Sequence, residues 1–278
     1  MITFSSLLFI SFFLLNLLYI RLFRLLIRKD IVPTGAGIIF SFTLFISSFY
    51  LHSSDFTTFA CLATIFFGSL LYWLDDLFSL PPVHRMIIAI STSLILFFLL
   101  FKMLTFPVLA VFLFLTVLLM IFLVNVLNFY DGADLNLISI FFLLGIILLS
   151  FDASRSPTVT TLSCFLLAYS TSFAVFNYRP KVIYMGDCGS FVFASIFVYM
   201  FITGIFRSIS WPIQVIPLLA FPAFDVVYVL AIRFRCKHNY LTRNYLHLYQ
   251  RLKILYRGYF YLLPSAINLL ISVLMISC

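Results

Sequence analysis

Apolar runs of roughly twenty residues, each long enough to cross a bilayer as a helix, recur along this 278-residue chain with only short polar breaks between them. Ten such runs are expected, near 3–27, 35–52, 57–74, 86–104, 106–129, 137–151, 158–176, 189–206, 211–232 and 259–277. Composition agrees. The set from Ala to Cys that counts as hydrophobic makes up 64% of the chain and charged residues 9%, where soluble domains carry roughly 25% charge. With 37 phenylalanines, the apolar excess is more than one water-soluble core can hide. Disordered and low-complexity classes are excluded as well, because they need few bulky apolar residues or a biased repeat. The expectation is an all-α polytopic membrane protein of about ten transmembrane helices, one integral membrane domain over residues 1–278 with lipid around it and no nucleic-acid partner.

Orientation follows from lysine and arginine. With ten spans, 14 of the 17 basic residues fall on the odd-numbered connections, among them Arg21, Arg24, Arg28, Lys29, Arg85, Arg179, Lys181, Arg233 and Arg251. Only Lys102, Arg155 and Arg207 fall on the even ones. The odd connections are therefore expected in the cytoplasm and both termini outside. The acids sort the same way. All nine are aspartates, and seven lie on or near the cytoplasmic side, leaving Asp55 and Asp152 outside. The active site is expected on that face. The basic residues of the first segment follow its apolar run, opposite to a cleaved secretory signal, so the segment is expected to stay as a membrane helix. Cys61, Cys164, Cys188, Cys236 and Cys278 form no metal or disulfide spacing and read as packing residues.

Four groups of residues carry chemistry. Asp75 and Asp76 close the third run, where the negative end of the helix dipole repels them unless a cation or proton compensates. Arg85 is placed either to be that partner or to bind a phosphate. Asn125, Asn128, Asp131 and Asp134 recur every third position, so the first three cover an arc of about 120° on one helix face before Gly132 lets the chain turn. Such amides and carboxylates offer oxygen ligands to a hard cation and acceptors to a base or sugar. Asp187, in the segment Tyr184 to Ser190, is placed either as a cap for the eighth helix or beside small residues whose amides let an anion approach. Lys181 adds a charge nearby. Asp225 sits inside the ninth run about two turns from Arg233, and an intramembrane acid is by default functional or paired. Carboxylates gathered on one face repel unless a divalent ion is present, and oxygen-only ligands point to magnesium, or manganese, rather than zinc.

These motifs resemble those of the polyprenyl-phosphate N-acetylhexosamine-1-phosphate transferases, a glycosyltransferase family 4 type, most closely the O-antigen-initiating undecaprenyl-phosphate branch. Pro33 to Gly37 resembles the glycine-rich entry to the second span, and Asp75 to Arg85 the double-aspartate loop. Asn125 to Asp134 is similar to N-x-x-N-x-x-D-G-x-D, Tyr184 to Ser190 to F-M-G-D-x-G-S, Pro222 with Asp225 to the ninth-span pair, and His247 to Leu252 to the histidine loop. The resemblance implies transfer of an N-acetylated amino-sugar 1-phosphate from a UDP-sugar to undecaprenyl phosphate in the bacterial inner membrane. The products would be UMP and a lipid diphosphate sugar destined for O-antigen lipopolysaccharide or another cell-envelope polymer. It further implies that Asp187 and Asn128 hold Mg2+ (or Mn2+) and that Asp75 and Asp76 position or deprotonate the lipid phosphate. Asn125, Asp131 and Asp134 would contact nucleotide or sugar, with Arg85, Lys181, His247 and Arg251 near the phosphates or sugar. A homodimer is left open.

The chain departs from that pattern at Leu135, where relatives carry a second glycine, at Ala36 in the early loop, and at Asn244 and Tyr245 in the histidine loop. Two other classes stand beside the transferase reading. One is a catalytically degenerate scaffold, which Leu135 keeps in play. The other is a transporter using the intramembrane acids, against which stands the lack of an internal repeat. A CDP-alcohol phosphatidyltransferase is disfavoured because its longer aspartate motif does not follow Asp131.

Overall fold

A computed structural model describes residues 2–27, 31–51, 56–101, 106–132, 134–152, 157–178, 182–206, 215–237 and 247–256, with single positions at 263, 266, 267, 269, 270 and 274. The described residues are mostly helical and contain no strand. The helices are α1 (Ile2–Leu26), α2 (Gly37–Leu51), α3 (Phe56–Phe78), α4 (Pro82–Leu100) and α5 (Phe106–Tyr130). They continue with α6 (Asn136–Asp152), α7 (Pro157–Asn177) and α8 (Gly186–Phe206), then a 3-10 turn (Ile216–Leu219), α9 (Ala220–Arg235) and α10 (Leu248–Tyr256).

By length and composition α1, α3, α4, α5, α7, α8 and the turn joined to α9 can each cross a membrane, seven in all among the described residues, while α2 and α6 are apolar and shorter. These nine match the first nine expected runs. The tenth, 259–277, falls mostly outside the described residues. The protein is thus a multi-pass, all-α membrane protein.

A helix that is apolar on every side belongs in the interior of a bundle. That helix is α8, whose Phe191, Val192, Phe193, Ala194, Ile196 and Val198 are all buried. It packs against α2, α3, α4 and α5, while α1 and α6 lie on α7. Small residues let the backbones approach. A Cβ on Gly37 would fall 2.5 Å from the backbone nitrogen of Gly189, so glycine is what allows α2 to cross α8 this closely. Outward-facing Leu7, Leu14, Leu18 and Leu25 of α1 and Phe114, Leu118 and Phe122 of α5 are exposed, as lipid-facing side chains are. Cys61, Cys164 and Cys188 are buried, in keeping with packing roles, and Cys236 is exposed.

Of the helix ends that differ from expectation, three lie in the site. Helix α3 runs to Phe78 instead of stopping near 74, so Asp75 and Asp76 are in its last turn. Helix α4 starts at Pro82 rather than 86, with proline in its first turn, where its missing N–H is no loss. Helix α8 starts at Gly186 rather than 189. Asp75, Arg85 and Asp187, which these longer helices take in, find hydrogen-bond partners inside the fold.

Candidate active site

Because the chain reverses at every connection, the end of α3, the start of α4, the end of α5 and the start of α8 meet at one end of the bundle. Hydrogen bonds show the convergence. Tyr184 N–H donates to the Pro33 carbonyl at 2.8 Å and Ala36 N–H to the Tyr184 carbonyl at 3.2 Å, laying the segment before α2 beside the one before α8. Tyr169 of α7 donates to the Ala36 carbonyl at 2.9 Å. Trp73 of α3 donates through Nε1 to the Tyr19 hydroxyl at 2.9 Å, and Tyr19 in turn donates to the Thr34 carbonyl.

At the centre of this end, Arg85 joins two carboxylates. Its Nη1 pairs with Asp187 Oδ2, and its Nε lies 3.4 Å from Asp75 Oδ2. The other oxygen of Asp187 accepts from Asn128 Nδ2 at 2.7 Å, and the other oxygen of Asp75 accepts from Leu80 N–H at 2.6 Å. The buried Tyr72, stacked on Phe191 with ring centroids 4.3 Å apart, donates to the Arg85 carbonyl at 2.8 Å and fixes the start of α4 against α3. Of the two roles open to Arg85, charge partner of the acids is the one seen here.

Asp76 faces another way. Its Oδ1 and Oδ2 accept the N–H groups of Asp187 and Cys188, each at 3.0 Å. A carboxylate at the positive end of α8 satisfies two amides that no residue within the helix can reach. Asp187 therefore sits in the first turn of α8, and the cap comes from Asp76, more than a hundred residues away in sequence. Gly186 has φ +74°, and a side chain there would meet Gly35 N at 2.6 Å and the Asp76 Cγ at 2.7 Å. Only glycine admits this approach without strain.

The three residues expected on one arc of α5 do not all share a target. Asn128 reaches Asp187, whereas Asn125 is exposed and its Nδ2 donates back to the Ile121 carbonyl at 2.7 Å. Asp131 is half-buried at the end of α5 and Asp134 is buried in the turn that follows. Asn177 anchors that turn, accepting Leu135 N–H at 2.8 Å and donating to the Ile183 carbonyl at 3.0 Å. One buried amide thus ties the turn after α5 to the segment leading into Asp187. Lys181 lies outside the described residues.

A second polar cluster lies beside the first. Asp225 of α9 is buried and places Oδ2 3.0 Å from Nδ1 of the buried His247, while its Oδ1 accepts Leu248 N–H at 2.7 Å and so caps α10. The His247 ring stacks on Phe129, the residue after Asn128, at 5.5 Å. Arg251 is exposed one turn further along α10. Of the two readings open for Asp225, the structure shows a paired acid, with His247 and a helix amide as its partners.

Sequence reasoning passed over Asn177 and Tyr72. The signal for Asn177 was present, since it is an amide at the end of an apolar run, the same cost that drew attention to Asn128. Nothing local marks Tyr72. For a divalent cation, no cluster of three or more His, Cys, Asp or Glu side chains stands ready among the described residues. The donors present nevertheless suit Mg2+, which takes one or two protein oxygens and completes its shell with water and substrate phosphate. Asp187 supplies a carboxylate and Asn128, with its amide turned over, a carbonyl oxygen.

An all-helical membrane bundle whose connections bring Asp75, Arg85, Asn128 and Asp187 together has a polar, partly exposed site at one end. The chain belongs to glycosyl transferase family 4, whose model matches residues 57–205, from α3 through α8. It is 28% identical over 142 residues to a Bacillus subtilis (strain 168) protein called a probable undecaprenyl-phosphate N-acetylglucosaminyl 1-phosphate transferase. That match takes in 50% of this chain and 39% of the relative, so well under two thirds of the relative's length is represented. Asp225 and His247 lie beyond the family match.

Proposed function

We infer that the protein transfers an N-acetylated amino-sugar 1-phosphate from a UDP-sugar to undecaprenyl phosphate, as the first membrane step of O-antigen or another cell-envelope polysaccharide. The observation that carries this reading is the Asp75–Arg85–Asp187–Asn128 cluster, assembled from four helices at one end of a membrane bundle of this family. An oxygen of the lipid phosphate attacks the β-phosphorus of the donor. The bond from that phosphorus to the bridging oxygen breaks, and UMP leaves with the bridging oxygen.

The chain's own groups divide the work. Asp75 and Arg85 lie at the end of α3 and the start of α4, at headgroup depth, where a phosphate arrives while its lipid tail stays in the bilayer. Since the second pKa of a phosphate is about 6, the lipid phosphate needs orientation more than a strong base. Asp75 provides it by holding Arg85. Asp76 acts at one remove, by fixing the first turn of α8 and with it Asp187. Asp187 and Asn128 would hold Mg2+, which when bound neutralises charge on the donor diphosphate. Asn125, Asp131 and Asp134 border the loop where a water-soluble nucleotide enters, and Lys181, His247 and Arg251 supply positive or hydrogen-bonding groups around the phosphates and sugar. The 14-to-3 distribution of basic residues supports a cytoplasmic position for this end in the inner membrane, with both termini outside.

The test is purified protein in detergent with undecaprenyl phosphate, Mg2+ and a panel of UDP-sugars, following UMP. UMP release that requires both lipid phosphate and one N-acetylated UDP-sugar is the expected result; release with none of the panel overturns the reading. Orientation is checked separately in intact cells, in a cysteine-free background. A cysteine at Ser79 should be protected from an impermeant label and one at Ser150 reachable.

A further inference from the structure

Both oxygens of Asp187 are taken, one by Arg85 and one by the Asn128 amide. In this arrangement the guanidinium balances Asp187 and Asp75 together. Building on the reading of Asp187 and Asn128 as the cation's ligands, we propose that Arg85 is a latch that holds the carboxylates closed to the cation until a phosphate-bearing substrate draws it away.

The argument is one of competition. A cation gains Asp187 only when Arg85 gives up Oδ2, and a guanidinium leaving a carboxylate between helices needs another anion to pair with. A phosphate oxygen is that anion, and the planar fork of arginine suits phosphate as well as it suits carboxylate. The move has room. Arg85 is about one third exposed, whereas Asp75 is buried, so the side chain that must swing is the one facing open space. Its backbone does not have to follow, because the Tyr72 hydroxyl holds the Arg85 carbonyl at 2.8 Å. Cation and phosphate then bind cooperatively, since each removes the Arg85 contact that opposes the other, and linkage makes the effect reciprocal. The cation site then assembles around substrate.

The experiment titrates Mn2+ into the full-length protein in detergent, with free Mn2+ followed by electron paramagnetic resonance, in the absence and presence of saturating UMP. Wild type is expected to bind Mn2+ more tightly with UMP by roughly 5- to 150-fold. Arg85→Gln is expected to bind Mn2+ more tightly than wild type without UMP and to lose most of the UMP effect, while Arg85→Lys, which keeps a cation at this position, retains part of it. Equal Mn2+ affinity of wild type and Arg85→Gln without UMP overturns the latch. Asp187→Asn distinguishes that failure from failure of the underlying reading. If it binds Mn2+ as wild type does under both conditions, the cation is not on Asp187, and the reading and the latch fall together.

Discussion

The polar groups around Asp187 and those around Asp225 are made of similar residues and held in opposite ways. Around Asp187 the partners are an arginine 33% exposed and an amide that can turn over, and the carboxylate itself is 24% exposed. Around Asp225, 1% exposed, the partners are a histidine at 7% and the first amide of α10, each met by one oxygen with none to spare. The first cluster is partly exposed, as the proposed exchange of its partners for ligands requires. The second is closed, and its work is to hold His247 against Phe129 beside the first. A substitution in the open cluster should therefore be felt in turnover, and one in the closed cluster first in stability.

The largest effect is expected at Asp187. Asp187→Asn should lower UMP release more than about 100-fold, roughly 2.7 kcal/mol of barrier, while thermal unfolding in detergent stays near wild type. Turnover within about tenfold of wild type would remove Asp187 from the reaction. Asp225→Ala should behave the other way. It strands the Leu248 amide and a ring nitrogen of His247, and each buried group left unpaired costs about 1–3 kcal/mol. An earlier melting transition, with weakened UDP-sugar binding as His247 loosens, is expected. Wild-type stability in this variant would show that the second cluster is not closed.

Asp75 and Asp76 repeat the contrast within one helix turn, on a smaller scale. Asp76→Asn keeps one acceptor for the two amides of α8 and should cost about 0.5–2 kcal/mol of stability, the range for damaging a helix cap. Asp75→Asn should melt near wild type and lose transfer while still binding UDP-sugar in calorimetry. Matching losses of stability in both variants would erase the division between them.

The apolar runs showed where the first nine helices lie, because burial in lipid leaves no alternative pattern, and the aspartates marked the end of the bundle at which they gather. What each carboxylate does was not legible. Asp76 meets amides 111 and 112 residues away, and no local spacing encodes such a pairing. The three-residue rhythm of Asn125 and Asn128 did not by itself say that the two amides would have different partners. Three residues advance a helix by about 300°, leaving the two amides about 60° apart, enough for one to face α8 and the other the surface. His247 was found through its resemblance to a motif, while its pairing to Asp225 became visible only once α9 and α10 were placed.

The smallest expected effect tests the departure at Leu135. Its φ is +66°, in the left-handed region, and the turn around it is held by Asn177 through the Leu135 amide. A side chain in that conformation costs about 1–2 kcal/mol, a cost glycine does not carry. Leucine offsets it in part because its side chain, half-buried, packs against the core. Replacing Leu135 by alanine removes the packing and keeps the strain, whereas glycine removes both. In an ordinary helix interior glycine is the worse of the two by about 1 kcal/mol; here the order should reverse, with Leu135→Gly more stable than Leu135→Ala by about 1 kcal/mol. The two melting curves decide it, and UMP release by the glycine variant should stay near wild type, since the turn keeps its shape. If alanine is as stable as glycine, the backbone at this turn is not strained, and leucine stands there for its packing alone.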